Sequence, residues 1–260
     1  MYNFDVEKPG TVAEAAAAMG AEDAQALGGG QTLIPTLKQR LASPSTLVSL
    51  KGVAEMQGIT KDGDTLQIGG ATTHATVSAD GSYPALSALA SHIGDPAVRN
   101  RGTIGGSLAN NDPAACYPAA ALASGATIVT NTREIGADDY FQGMFDTALE
   151  EGEIITAVRF PIPQAANYQK FVQPASRFAL VGVFVAKYAD GVRVAVTGAS
   201  NEGVFRWTEA ETALSGDFSA SALDGLSVAP DNMITDLHGT AAYRAHLVKV
   251  MTGRAVAAAS

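Results

Sequence analysis

The first fifty residues alternate between helical and extended apolar spacing. The stretch TVAEAAAAMG places Thr11 and Glu14 at the two positions of a capping box, so a helix is predicted here. The apolar run AQAL (24–27) predicts a strand that leads directly into GGGQT (28–32). A helical turn is predicted for LIPTLKQRL and a second strand for TLVSL (46–50). A strand, a glycine turn and a helical segment in this order present backbone N–H groups to an anion.

The next hundred residues mix longer extended and helical patterns. Extended apolar runs that end at glycine or proline predict strands, and apolar residues at helical spacing predict helices. One of these helices is expected to be interrupted near Pro118. The predicted strands are 65–70, 126–130 and 153–163, and the predicted helices are 83–94 and 113–124.

Beyond Pro163 the pattern is first strand-rich and then helical. RFALVGVFVAKY and VRVAVTGAS are separated by ADG, which predicts a hairpin turn at Asp190–Gly191. Helices are predicted for TEAETAL and AAYRAHLVKVMTG. Strands followed by helices, rather than strict alternation, predict an α+β fold. The change of pattern predicts domains 1–163, with subdomains of about 1–52 and 53–163, and 164–260.

The composition is that of a globular protein and narrows the classes of partner. The 260 residues are 47% hydrophobic and carry a formal net charge of -9 without a basic stripe, which argues against nucleic acid. The N-terminus lacks the regions of a signal peptide, and no apolar run has the length of about 20 residues that spans a bilayer. Cys116 is the single cysteine, so no internal disulfide is expected. A cytoplasmic protein without a transmembrane segment is predicted, with the inner face of the membrane as an alternative location.

Several common sites are missing from the sequence. Neither glycine-rich turn matches the G-x-G-x-x-G fingerprint or the P-loop, and TGASNEG lacks the second glycine of a nucleophile elbow. One cysteine cannot supply the thiolates of an iron–sulfur cluster. The four histidines show no metal-ligand spacing, so no metal site is predicted and each is expected to be a surface or hydrogen-bonded residue. They are His74, His92, His238 and His246.

Two glycine loops remain as candidates for chemistry. GGGQTL (28–33), the first loop, and GTIGGS (102–107), the second loop, combine bare backbone with hydroxyl side chains. Glycine lets the main chain approach a ligand closely, and successive N–H groups bind anions. Thr32, Thr103 and Ser107 would add hydroxyl donors. Together the loops indicate a diphosphate site, although each alone is also typical of a tight turn or a bulge.

Three longer segments carry a family pattern. They are LGGGQTLIPTLKQRLASPSTLVSL, IGGATTHATV and HIGDPAVRNRGTIGGSLANNDPAACYPAAALA, and the ordered pair GGGQTLIP and TIGGS is the specific part. The chain resembles the flavoprotein subunit of molybdenum hydroxylases, most of all the medium subunit of aerobic carbon monoxide dehydrogenases. Xanthine dehydrogenases carry a similar domain. The resemblance covers essentially the whole chain.

This resemblance implies a fold and a cofactor. The N-terminal part would be an FAD-binding domain of the two-subdomain (PCMH) type that is also found in relatives of vanillyl-alcohol oxidase. A small C-terminal α+β domain with a three-stranded antiparallel sheet would follow it. FAD would be the only cofactor on this chain, since the molybdenum cofactor and the 2Fe–2S clusters belong to partner subunits.

The resemblance also implies which residues contact FAD. The first loop would wrap the diphosphate, and the second would lie around the phosphates and the ribityl chain. Ile93 resembles an apolar contact at the adenine end and Ile155 an aliphatic contact near the flavin, although both also suit a plain core. The implied cofactor-binding residues are Gly28, Gly29, Gly30, Gln31, Thr32, Leu33, Ile93, Thr103, Gly105, Gly106, Ser107, Cys116, Ile155 and Phe178.

A few positions depart from the family pattern. Cys116 falls where relatives often have aspartate, so a hydrogen bond to the cofactor is weaker there and simple core packing is the alternative. Val172 stands where some relatives have lysine, so a positive charge near the flavin must come from elsewhere. Phe178 replaces a tyrosine that lies beside the flavin, and Ser107 replaces a commoner asparagine but keeps a donor. Arg177 contacts the cofactor or a partner subunit, or is a solvated surface residue.

The function implied is that of an electron-transfer subunit. Substrate would be oxidised at a molybdopterin site on a large subunit, and electrons would pass through two 2Fe–2S clusters on a small subunit to FAD and then to an external acceptor. A dimer of heterotrimers is the expected assembly, and no catalytic residue is expected on this chain. The substrate (carbon monoxide, an aldehyde, a purine or an N-heterocycle) and the acceptor stay open. The alternatives are a self-sufficient flavin oxidase or dehydrogenase and a structural or assembly subunit without flavin.

Overall fold

The computed structural model describes residues 1–259. No helix in this range is both long and apolar enough to traverse a bilayer. The strands are β1 Asp5–Glu7, β2 Ala24–Leu27, β3 Thr46–Ser49, β4 Ile59–Asp62, β5 Thr65–Gly69, β6 Thr127–Thr130, β7 Glu134–Gly136, β8 Phe141–Gly143, β9 Asp146–Thr147, β10 Ile155–Pro161, β11 Ala165–Val172, β12 Ala179–Tyr188, β13 Gly191–Ser200 and β14 Gly203–Arg206. The helices are α1 Val12–Met19, α2 Leu33–Lys38, α3 His74–Asp80, α4 Pro84–Ser91, α5 Pro96–Arg99, α6 Ile104–Asn110, α7 Tyr117–Ala123, α8 Ala137–Tyr140, α9 Thr208–Gly216 and α10 Ala241–Ala258.

The N-terminal region is a parallel sheet with the strand order β1-β3-β2. Helix α1 begins where the sequence predicts it, because the Thr11 hydroxyl accepts a hydrogen bond from the Glu14 N–H at 3.1 Å. Ala15 of this helix packs with Val48 of the sheet in a small core. Strand β2 ends at Leu27, so the first loop leaves the carboxyl edge of a parallel strand, which is where ligands commonly bind.

The middle region is an antiparallel sheet with the order β4-β5-β10-β6-β7, packed with α4, α6 and α7 in the largest core. Ile68, Ile128 and Val158 enter this core from the sheet. The helix predicted over 113–124 begins only at α7, because Pro118 lies in its first turn. Proline is tolerated there since the first N–H groups of a helix have no intrahelical partner. The proline marks the start of the helix and not the interruption that the sequence predicts.

The C-terminal region is an antiparallel sheet of four strands, β11 to β14 in chain order, where the resemblance implies three. Strands β12 and β13 pair across the predicted hairpin, with Tyr188 opposite Gly191. Val183 and Val185 share a core with α9 and α10. Phe184, which faces the opposite side of β12, packs edge-to-face on Tyr83 of the middle region with ring centroids 6.1 Å apart. Both faces of this sheet are therefore covered.

Candidate functional site: a cleft between two glycine loops

The first and second loops meet at a cleft of about 660 Å³, a size typical of cofactor sites. Residues of the N-terminal sheet, the middle region and the β11–β12 connection line it. Every cofactor-binding residue implied by the resemblance lies on its wall. Contact of these residues with FAD stays a prediction. They are Gly28, Gly29, Gly30, Gln31, Thr32, Leu33, Ile93, Thr103, Gly105, Gly106, Ser107, Cys116, Ile155 and Phe178.

The first loop carries backbone donors that the protein does not use. Within residues 1–259, the N–H groups of residues 28–32 donate to no protein acceptor. The turn depends on Gly30, whose φ of +70° lies in the left-handed region. The Ile34 N–H donates to the Gly30 carbonyl at 3.1 Å and so begins helix α2. Successive free N–H groups in a turn before a helix are typical of an anion-binding nest.

Two glycines of the first loop also allow contact between the loops. A Cβ atom on Gly28 would lie 2.8 Å from the hydroxyl oxygen of Thr103. A Cβ atom on Gly29 would collide with the Arg101 carbonyl and would lie 2.5 Å from the Cα of Gly102. Part of the bare backbone that the sequence assigns to a ligand therefore serves the close approach of one loop to the other.

The second loop, by contrast, uses its donors within the protein. The Gly105 N–H donates to the Gly70 carbonyl at 2.9 Å. The Thr103 hydroxyl caps α6 by accepting from the Gly106 N–H at 3.1 Å. A Cβ atom on Gly105 would lie 2.6 Å from the Gly70 carbonyl oxygen, so a larger residue does not fit there. The second loop is thus a fixed wall of the cleft.

The apolar walls differ in exposure. Ile155 is buried, Ile93 is half-buried, and Phe178 is 52% exposed at the cleft. Cys116 is buried beside Tyr168. The pKa of the Tyr168 phenol is raised, mainly because the phenol is buried and to a lesser extent because the Cys116 thiol lies next to it. Cys116 therefore packs in the core and also lines the cleft, and its hydrogen bond to the cofactor stays a prediction.

His74 also lines the cleft, although the sequence pattern does not single it out. It is 5% exposed and its Nδ1 has no hydrogen-bond partner in the described residues, so the prediction of a surface or hydrogen-bonded histidine is wrong for this residue. Burial, and then the charge of Arg99, lower the pKa of His74 to about 4. The sequence does contain a signal that could have drawn attention to His74, because the residue lies in IGGATTHATV, shortly after the strand β5 that ends in glycine. The other three histidines are exposed, namely His92, His238 and His246.

Positive charge at the cleft comes from Lys170 and Arg177. Val172 is exposed and is not part of the wall. Lys170 lies two residues earlier on the same face of β11, and its Nζ donates to the His92 carbonyl at 2.9 Å. The Arg177 Nη1 lies 3.9 Å from Asp95 Oδ2, with both side chains about half exposed. The two cations supply the charge that the sequence does not place at Val172.

This combination of groups fits FAD, which has a diphosphate between two ring systems. Free N–H groups and cations suit the diphosphate, and apolar walls suit the rings. Gly28 and Gly29 let the two loops approach each other along the cleft, because a Cβ there would meet Thr103 or Gly102. The described residues contain no group of three or more His, Cys, Asp or Glu side chains that could hold a metal ion.

Known proteins resemble this chain over most of its length. Residues 2–163 match the family described as the FAD binding domain in molybdopterin dehydrogenase. The carbon monoxide dehydrogenase medium chain of Afipia carboxidovorans is 33% identical in a gapped alignment of 275 positions that covers 98% of this chain and 96% of that one. The nicotine 6-hydroxylase medium subunit of Paenarthrobacter nicotinovorans is 35% identical over 253 residues, which cover 90% of this chain and 89% of that one.

Solved structures show the same architecture. A chain of quinoline 2-oxidoreductase from Pseudomonas putida 86 matches with a TM-score of 0.88 at 29% identity, and the match covers 98% of this chain and 96% of that one. A chain of carbon monoxide dehydrogenase from Hydrogenophaga pseudoflava matches with a TM-score of 0.87 at 32% identity, with 99% and 97% covered. These matches include both glycine loops and the C-terminal sheet.

Proposed function

The chain belongs to the family of FAD-binding domains of molybdopterin dehydrogenases, and from that premise we propose that it works as the electron-transfer subunit of a molybdenum hydroxylase. It is an oxidoreductase subunit of the medium, FAD-binding type. The substrate of the complex is not assigned, because it is chosen on another chain.

The observation that carries the proposal is the unused row of N–H groups at residues 28–32. Gly28, Gly29 and Gly30 of this row are half-buried, and a half-buried backbone donor without a partner is costly, whereas a diphosphate supplies several acceptors at once. The first loop faces the second across a cleft large enough for a dinucleotide. In this arrangement the loop binds the diphosphate and so fixes the position of both ring systems.

The remaining cleft residues orient and shield the cofactor. When bound, FAD supplies the redox chemistry that links one-electron carriers to a two-electron acceptor. Ile155 and Phe178 cover apolar surface and exclude water, and Lys170 and Arg177 favour negative charge in the cleft. No side chain is needed as an acid, a base or a nucleophile, so the chain's contribution is binding and electrostatics.

An electron-transfer subunit needs partner subunits that deliver its electrons. We propose an iron–sulfur small subunit and a molybdopterin-binding large subunit, assembled as a dimer of heterotrimers. Names such as medium chain and medium subunit among the relatives support a complex of several chains. Phe178, exposed at the cleft, would lie where electrons enter or leave the flavin.

The test uses the complex of this chain with its iron–sulfur and molybdopterin subunits, prepared with FAD and without it. Carbon monoxide, an aldehyde, a purine and an N-heterocycle are offered in turn as substrate. In the FAD-free complex, the active substrate should still bleach the iron–sulfur absorbance, whereas reduction of an external acceptor should be lost and should return when FAD is added.

Two outcomes would contradict the proposal. Undiminished acceptor reduction without FAD would favour a structural or assembly subunit. Oxidation of a substrate by the isolated FAD-loaded chain would favour a self-sufficient flavin enzyme.

A further inference from the structure

His74 holds an unusual position for a buried histidine. It is the first residue of α3, follows the N-cap Thr73 and donates its backbone N–H to the Gly102 carbonyl at 2.9 Å. The ring lies on the wall of the cleft and 5.3 Å, centroid to centroid, from the ring of Tyr117. Only a glycine at position 102 leaves room for it, because a Cβ there would come within 2.5 Å of Nε2. The fold therefore makes space for this imidazole at the base of the second loop.

The surroundings of the ring determine where its proton lies. The Nδ1 atom is enclosed and has no partner within the described residues. An enclosed N–H without an acceptor costs more than an enclosed lone pair without a donor, so the neutral ring carries its proton on Nε2. Arg99 is the charged group that acts on His74. The neighbouring ring of Tyr117 is also titratable, but burial raises the pKa of its phenol, so it stays protonated. No carboxylate of the described chain stabilises an imidazolium here.

We infer that His74 is a further FAD-binding residue, whose Nε2–H donates a hydrogen bond to an oxygen or an unprotonated nitrogen of the cofactor. Gly102, against which Nε2 lies, borders Val98, because a Cβ on Gly102 would lie 3.2 Å from the Val98 carbonyl oxygen. Gly102 also borders the first loop, because a Cβ on Gly29 would lie 2.5 Å from the Gly102 Cα. The acceptor therefore belongs to the part of FAD that lies beside Val98 and Gly29, and half-molecules of the cofactor identify it. The inference rests on the proposed FAD cleft.

Three substitutions of His74 test whether FAD binding needs a hydrogen-bond donor at the position of Nε2 or the imidazole ring itself. In His74→Gln the side-chain amide reaches about the position of Nε2, whereas in His74→Asn it reaches only that of Nδ1, and His74→Leu has no donor. Titration of the full chain with FAD, followed by flavin fluorescence, should give an affinity about tenfold weaker for Leu and Asn, equal to about 1.4 kcal/mol, and near the original value for Gln. His246→Leu, on the exposed face of α10, is the control.

A second measurement uses the unaltered protein. The ¹⁵N shifts of the His74 ring should show the proton on Nε2, and addition of FAD should move the Nε2 shift more than the Nδ1 shift. Titration with riboflavin and with ADP identifies which half of the cofactor His74 contacts, since only the correct half should reproduce the change.

The outcomes distinguish this inference from the function on which it rests. If the control chain binds FAD and all three His74 variants bind it equally well, the inference about His74 is wrong and the cleft stands. If the ring proton lies on Nδ1 in the FAD complex, the inference is also wrong. If the control chain binds no FAD even within the complex, both the cleft and the inference fail.

Discussion

The first loop and the second loop look alike in sequence, since each has adjacent glycines and hydroxyl residues, but their backbones are in opposite states. The N–H groups of residues 28–32 have no partner within the described chain, whereas those of Gly105 and Gly106 are bonded inside the protein. Glycine is needed in the first loop for a left-handed turn and for contact with its neighbour, and at Gly105 for a carbonyl directly behind it. Similar glycine patterns thus leave free backbone donors in one loop and pack rigidly in the other.

The difference predicts that substitutions in the two loops fail in different ways. A larger residue in the second loop meets backbone that is held by hydrogen bonds, so the fold should lose stability. A larger residue at Gly29 in the first loop meets Arg101 and Gly102 instead, from a segment whose N–H groups are bonded to nothing in the described chain, so cofactor affinity should fall first.

The largest effect is expected for Gly105→Ala. The new Cβ would lie 2.6 Å from the Gly70 carbonyl oxygen, and neither backbone can move without breaking the bond between them. Urea unfolding should show a loss of about 3 kcal/mol in the free energy of unfolding. Gly216→Ala is the control, because a Cβ there meets no atom within 4 Å. Equal stability of the two variants would mean that the second loop is not a fixed wall.

The next largest effect is the pH dependence of the free energy of unfolding that His74, at the base of the second loop, contributes. The pKa of His74 is lowered from 6.5 to about 4 in the folded chain, so the unfolded chain binds more protons between these values. The free energy of unfolding should therefore fall by roughly 2 kcal/mol as the pH falls from 6.5 to 4. His74→Gln should show a shallower fall, and His246→Gln the original one. Identical slopes in all three chains would contradict a neutral, buried His74.

A smaller effect is expected for Gly29→Ala, on binding rather than on folding. The added methyl group pushes the first loop away from Arg101 and Gly102, which displaces the free donors from the diphosphate. The dissociation constant for FAD should rise about tenfold, equal to about 1.4 kcal/mol. The free energy of unfolding of the FAD-free chain should change less than in Gly105→Ala. The division between the loops is wrong if folding suffers more than binding.

The smallest effect compares two threonines at helix starts. The Thr103 hydroxyl caps α6, whereas Thr32 precedes α2 without a side-chain capping bond. Thr103→Ala should cost about 1 kcal/mol of unfolding free energy, and Thr103→Ser should restore most of it. Thr32→Ala should stay within about 0.5 kcal/mol of the original chain. Equal losses at both positions would show that the first loop, too, is held by its cap.

Much of the fold follows from local patterns in the sequence. The helix start capped by Thr11, the strand that ends at Leu27 and the hairpin at Gly191 all lie where the sequence predicts them. These features depend on neighbours in the chain, so residue order is enough to find them. The start of α7 at Tyr117 is also a local matter, but the sequence pattern treats Pro118 as a break within a helix and not as part of its first turn.

The sequence brings together residues that line one cleft, but it does not predict their hydrogen bonds, and their contact with FAD stays a prediction. Every residue implied by the resemblance lies on one cleft. The sequence does not reveal that Gly105 packs on Gly70, because the two residues lie far apart in the chain and only the fold brings their backbones together. The same holds for His74, whose burial depends on Gly102 and Tyr117. Long-range contacts of this kind decide which glycines bind a ligand and which pack.

The most direct test of the division between the loops is amide hydrogen exchange, resolved by residue, with and without FAD. In the FAD-free chain, the amides of residues 28–32 should exchange fast and those of Gly105 and Gly106 slowly, because only the latter are hydrogen-bonded. FAD should slow exchange at residues 28–32 and leave Gly105 and Gly106 nearly unchanged. Unchanged exchange at residues 28–32 in the FAD complex would contradict the claim that these N–H groups bind the cofactor.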